Sequence, residues 1–243
     1  MAGGTELGFY GKVPGRGDFI TRRLPRTFID PWDAWLQQAV TASRDQLGDA
    51  WLDAYLTSPL WRFVLDGGLC GDAPWAGVMM PSVDRVGRYF PLTLACPLEA
   101  ESDPCLTLSA ADGWFLRIED LMLAALDDDF DVERFDAGIA ALAPPAIPTV
   151  LPCAAAHLAD GWRIALGAAT LEAGCAPVLS ALARARFAPC SFWYTAGSET
   201  IAPQLLVRAG LPAPASFAML LNGAAAPPPA AEDSDFSALL ADE

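Results

Sequence analysis

A single histidine, His157, occurs in the 243 residues, so any Ser-His-Asp triad or Cys–His dyad has to be built on it. No Gly-x-Ser-x-Gly elbow accompanies it. Phosphate-cradling loops are missing too. Gly11-Lys12 lacks the P-loop arrangement, and Gly67-Gly68-Leu69-Cys70-Gly71 lacks the glycine spacing of a dinucleotide fingerprint. Six cysteines, at 70, 96, 105, 153, 175 and 190, include no Cys-x-x-Cys pair and no metal-ligand spacing, and they read as small core residues of a reduced compartment. Neither a cofactor nor a metal is expected. Met1 to Leu7 holds neither a basic nor an apolar stretch, which argues against a secretory signal and for a cytoplasmic location.

Charge is scarce, at 19% of residues, and unbalanced: 15 Lys+Arg against 30 Asp+Glu leave −15. Such a chain repels a polyanion, so nucleic acid is not an expected partner, and anchoring by a basic helix is disfavoured. The imbalance is local. Residues 1–98 hold 9 basic and 10 acidic groups, whereas 99–243 hold 6 and 20. A face that meets an anionic or polar partner through arginine is therefore expected from the first part. Ala137 to Ala159 carries no formal charge and is long enough to span a bilayer, but Pro144, Pro145, Pro148 and Pro152 interrupt it. No membrane insertion is expected. The segment reads as a buried linker or strand pair.

What is abundant is apolar: 53% of residues at a mean hydropathy of +0.29, enough for a large core. Gly8 to Val13 reads as a strand running into a turn. Asp30-Pro31 reads as a helix start, and Trp32, Trp35, Leu36, Ala39 and Val40 form one stripe ending near Leu47-Gly48. A short helix carries Trp51 to Leu56. Trp61–Leu65, Trp75–Met80 and Tyr89–Cys96 read as neighbouring buried strands. A helix follows from Ser109, capped by Ser109 or Asp112, and another spans Val132–Leu142. Later come a strand at Gly161–Leu166, a helix around Leu179–Arg186 and a strand at Cys190–Thr195. Pro203–Arg208 and Ser216–Leu221 read as short helices. This interleaving predicts one α/β domain over residues 1–223, with helices on both faces of a mixed sheet. Residues 224–243, rich in Pro and Ala with five acidic and no basic groups, read as a disordered acidic tail.

Among motifs, Asp127, Asp129 and Asp131 mimic a calcium loop, but Val132 and Gly138 stand where glycine and a bidentate Glu are required. Arg16-Gly17-Asp18 as an adhesion tripeptide is accidental. The densest polar group is Pro81-Ser82-Val83-Asp84-Arg85-Val86-Gly87-Arg88-Tyr89-Phe90-Pro91. Arg85 and Arg88 in this turn could grip an acidic or phosphorylated segment of a partner; equally, they could pair internally with Asp84, Asp18 or Asp30. In the tail, Phe236, Leu239 and Leu240 at i, i+3 and i+4 could dock in a groove, or the tail could be merely solubilising.

Taken together, Gly8-Phe9-Tyr10-Gly11-Lys12, Arg16-Gly17-Asp18-Phe19, Trp32-Asp33-Ala34-Trp35-Leu36-Gln37, Ser58 to Phe63, the block Gly77 to Leu92 and Phe192-Trp193-Tyr194-Thr195 resemble the TagF family of type VI secretion system-associated proteins. The resemblance spans about residues 8–222. It implies a three-layer α/β/α sandwich with a central mixed sheet and a cytoplasmic, non-enzymatic protein that restrains the secretion apparatus after translation. It also implies a link to a forkhead-associated scaffold protein and to a threonine kinase/phosphatase pair. It brings no catalytic residues. The expectation is a negative regulator that binds the scaffold, with Arg16, Asp18, Asp84, Arg85 and Arg88 as candidate contact residues. The alternatives are a structural accessory subunit of the machine and a hydrolase using His157.

Overall fold

Residues 61–97 lay down three strands in succession with no helix between them, and the rest of the chain is arranged around that stretch. The computed structural model describes residues 6–127, 129–147, 155–158, 161–164 and 171–224, with side chains over 6–127, 129–147 and 174–224. The strands are β1 (Gly8–Gly11), β2 (Ile20–Arg22), β3 (Trp61–Leu65), β4 (Trp75–Met80), β5 (Leu92–Pro97), β6 (Ala155–Leu158), β7 (Gly161–Ile164), β8 (Cys190–Thr195) and β9 (Gln204–Ala209). The helices are α1 (Arg26–Leu47), α2 (Trp51–Leu56), α3 (Pro104–Ala110), α4 (Asp112–Ala124), α5 (Val132–Ala140), α6 (Leu171–Phe187) and α7 (Phe217–Asn222).

Seven strands form one sheet in the order β2-β1-β5-β4-β3-β8-β9, while β6 and β7 pair separately. Every neighbouring pair is antiparallel. This corrects the expected three-layer α/β/α sandwich around a mixed sheet. Parallel neighbours need a crossover, usually helical. Here the segments joining β3 to β4 and β4 to β5 hold no helix, and the helices come in blocks: α1 and α2 before β3, α3 to α5 after β5. The pattern is one of strand runs and helix runs, as in α+β folds.

Alternation along the central strands sorts the core into two apolar clusters. Trp61, Phe63 and Leu65 with Trp75, Met79 and Ala95 meet Phe28, Trp32, Trp35 and Leu36 of α1. Val64, Ala76, Val78, Met80, Leu92 and Leu94 meet Trp114, Phe115 and Ile118 of α4 and Phe135 and Ile139 of α5. Gly77 lies between Phe63 and Ala95 in register, and a Cβ there would come within 2.5 Å of the Phe63 ring. Only glycine lets that ring cross the strand.

Three indoles of the aromatic cluster are satisfied across the fold, whereas Trp75 Nε1 is buried with no partner among the described residues. Trp32 Nε1 donates to Thr93 Oγ1 at 3.0 Å, Trp35 Nε1 to the Pro212 carbonyl at 2.7 Å and Trp61 Nε1 to the Leu220 carbonyl at 2.9 Å. On the opposite face Arg62, buried, donates to Glu119 at 2.6 and 3.0 Å and to Asp112 at 2.6 Å, fastening α4 to the sheet. The last two tryptophan bonds draw the C-terminal segment onto the early part of the chain, and α7 packs against α1 and α2.

Several elements match the expected spans: α2, β3, β4 and β8, and the sheet does place β3, β4 and β5 side by side. Others differ. Helix α1 starts at Arg26, not at Asp30, so Pro31 is interior to it; the apolar stripe continues back to Phe28 and Ile29, whose burial offsets one missing donor. The helix expected from Ser109 is two helices. Asp103 caps α3 by accepting from Leu106 N at 2.9 Å, with Pro104 at the first position, and neither Ser109 nor Asp112 caps α4. The expected short helix Pro203–Arg208 is instead strand β9 from Gln204 onward, because its short apolar run pairs with β8, with Leu206 opposite Trp193. Helix α6 is longer than expected and includes Pro177. Cys70, Cys96, Cys105 and Cys190 are buried, as read from the sequence, but Cys175 is exposed; Cys153 lies outside the described residues. So do Pro148, Pro152 and residues 225–243 of the acidic tail. No helix among the described residues is long and apolar enough to cross a membrane.

Candidate functional site

The Pro81–Pro91 block is the loop from β4 to β5, and it lies beside the loop from β1 to β2. Lys12, the chain's one lysine, joins them: its ammonium contacts the Asp84 carboxylate, and both side chains are buried. Asp84 also accepts from Arg88 Nε at 2.7 Å, from Arg88 N at 2.9 Å and from Val86 N at 3.0 Å. Burial alone would raise the Asp84 carboxyl. The Lys12 ammonium and the Arg88 and Val86 donors outweigh it and hold the group well below the usual carboxylate range.

The loop is pinned at further points. Gly87 N donates to the Asp84 carbonyl at 3.0 Å with Gly87 at φ +83°, the conformation that glycine adopts without strain. Arg85 N donates to the Arg16 carbonyl at 3.0 Å, and the Arg88 guanidinium to the Gly17 carbonyl. Beneath the loop, Tyr55 OH donates to the Ser82 carbonyl and accepts from Ser82 N, each at 3.0 Å, while Ser82 Oγ donates to the Lys12 carbonyl at 2.8 Å.

The sequence-derived candidates therefore separate. Asp84 and Arg88 form the internal ion pair, and Asp18, fully exposed, lies 3.9 Å from Arg88. Asp30 pairs instead with Arg26 at 3.5 Å. Arg16 approaches Glu133 at 3.5 Å in solvent. Arg85 is exposed, and among the described residues its guanidinium meets no ion-pair or hydrogen-bond partner. Beside it Val86 is 62% exposed. On the facing loop Phe19 is 47% exposed, its ring packed on Tyr10 and Phe90 and 4.9 Å from Lys12 Nζ. An arginine and two apolar groups are thus held up to solvent on a tightly tied base. Such a patch can bind; it holds no nucleophile and base in contact.

Lys12, Tyr55 and Ser82 were missed as site residues. Their role depends on contacts across 72, 27 and 70 positions of sequence that no local signal carries. A second polar cluster is purely internal. Asp66 accepts from Arg184 at 2.7 and 3.0 Å and from Cys190 N and Sγ at 2.9 and 3.0 Å. Burial and Asp66 push the Cys190 thiol up to about 12; burial does the same for Cys70 and Cys96, and takes Cys105 to about 11. These four cysteines remain thiols, not nucleophilic thiolates. His157 falls in β6 opposite Trp162, and its side chain lies outside the described residues.

Against known proteins, residues 8–142 match the TagF N-terminal domain, type VI secretion system-associated. The crystal structure of PA0076 from Pseudomonas aeruginosa PAO1 is similar over 94% of this chain and 99% of that chain, with 44% identity and a TM-score of 0.77. Comparison with curated proteins gives no match.

Proposed function

This chain belongs to the TagF family of type VI secretion system-associated proteins, and from that premise we propose that it is a post-translational negative regulator acting by occupancy. It binds a component of the apparatus, the forkhead-associated scaffold protein, and withholds it from assembly. Such action needs only a higher affinity for the free component than for the assembled one.

The observation that supports this reading is Arg85. In a chain of net charge −15, it is a cation with no ion-pair partner among the described residues, beside exposed Val86, on a loop that a buried ion pair and at least five hydrogen bonds already hold in place. A pre-ordered loop loses little entropy on binding. The partner it suits presents carboxylate or phosphate groups next to an apolar side chain.

The test is capture of the scaffold by the full chain and by Arg85→Glu. The variant should melt with wild-type cooperativity and lose about tenfold or more in affinity, as for one central arginine of an interface. Undiminished capture overturns the assignment of this face. Secretion titrated against the amount of protein tests occupancy itself: repression should rise stoichiometrically, and repression by trace amounts would overturn it. Repeating the capture with the threonine kinase active reads out the phosphorylation dependence.

A further inference from the structure

Next to this loop, a cleft of about 610 Å³ opens between the C-terminal end of α1, the start of α2 and the tip of the β4–β5 loop. Its walls are Trp51 and Tyr89, whose rings meet edge to face at 5.8 Å, and Leu52, which is 41% exposed. Two cations stand on its rim. Arg88 is engaged with Asp84, but Arg44 is exposed and lies 4.1 Å above the Trp51 ring with no carboxylate partner among the described residues; Asp49 is the one acid lining the cleft. The cleft is therefore apolar at its walls and cationic at its edge.

We propose that its occupant is this chain's own acidic tail, residues 232–243, bound in cis. Three observations choose this occupant. Charge is complementary: Glu232, Asp233, Asp235, Asp242 and Glu243 bring five carboxylates and no cation, and they bracket Phe236, Leu239 and Leu240, which match the apolar walls. The point of departure is close: the described chain leaves α7 at Gly223 and Ala224, and α7 packs against α1 and α2, the two helices that supply Arg44, Trp51 and Leu52. Reach is ample, because the twelve Cα–Cα steps from Ala224 to Phe236 extend to about 40 Å, whereas packed helices lie about 10 Å apart. A tether of this length gives an effective concentration of about a millimolar, so a weak contact suffices for occupancy. The proposal does not depend on what the neighbouring loop binds.

The experiment uses the full chain with Phe236→p-benzoylphenylalanine, illuminated at low protein concentration, and peptide mapping of the products. Cross-links within one chain to the 44–52 and 87–89 segments are expected. Their yield should fall about fivefold or more in about 1 M salt, where the screening length is about 3 Å, and equally in Arg44→Glu. A second variant, Glu232→Gln with Asp233→Asn and Asp235→Asn, alters only the tail and should lose the cross-link with the melting curve unchanged. Cross-links to other surfaces, cross-links between two chains, the absence of any, or a yield indifferent to all three changes would each overturn the proposal. None of these outcomes bears on scaffold capture by Arg85.

Discussion

Two buried carboxylates, Asp84 and Asp66, are held by the same device in two regions of the molecule and do different things. Each is satisfied by at least one cation and one backbone amide, and each is kept below its ordinary value of 3.8 although burial pushes the other way. Asp66 ties Arg184 of α6 and Cys190 of β8 to the end of β3, and the cation of that region is engaged in the pair. Asp84 lies under a loop whose upper surface offers Arg85 and Val86 to solvent. A buried network is therefore not itself a site. It becomes the foundation of one when the groups it orders point outward and stay unpaired.

The largest way to break this comparison is Lys12→Met, which leaves Asp84 with Arg88 as its one cation among the described residues. A loss of about 3 kcal/mol is expected, the low end for removing one partner of a buried pair, read as a thermal melt about 6–12 °C lower. Hydrogen exchange at the Val86 and Arg88 amides should quicken at the same time. Asp66→Ala should cost about 2 kcal/mol, since half-exposed Arg184 regains water, and leave those two amides protected. Acid should treat the two regions alike. Both carboxyls are depressed in the folded state, so the stability they confer is complete above 3.8 and is lost as pH falls through their folded values. Asp66→Asn and Asp84→Asn should each flatten the acid side of the melting profile; an unchanged profile would show that the carboxyl is not depressed. Gly87→Ala should cost about 1 kcal/mol through its positive φ, measured by urea unfolding. Smallest is Arg85→Ala, within about 0.5 kcal/mol in stability while scaffold capture falls, a separation that the Asp66 region cannot produce.

How much of this was legible in the sequence depended on range. Periodicity found α2, β3, β4 and β8 and the stripe of α1, because those signals repeat within a few residues. Strand direction did not show, since it depends on whether a connection crosses over, and 66–74 and 81–91 say little on that point. Strand β9 was hidden for a related reason: Leu205, Leu206 and Val207 suit either element until β8 offers them an edge. At the site, the Asp-Arg-Val-Gly-Arg string marked the loop, but its two arginines look alike. Only the contact with Lys12 buries Asp84, which then engages Arg88 and leaves Arg85 facing solvent.

The indole bonds from Trp35 and Trp61 to Pro212 and Leu220 bear on what the N-terminal family domain can do alone. The family match ends at residue 142, yet β8 is inserted beside β3, with Trp193 packed on Trp32, Trp35 and Phe63. Cut at that boundary, the protein would present β3 as a raw edge flanked by stranded aromatic rings, a template for aggregation. The border of the matched N-terminal domain and the border of autonomous folding are thus different on the same polypeptide.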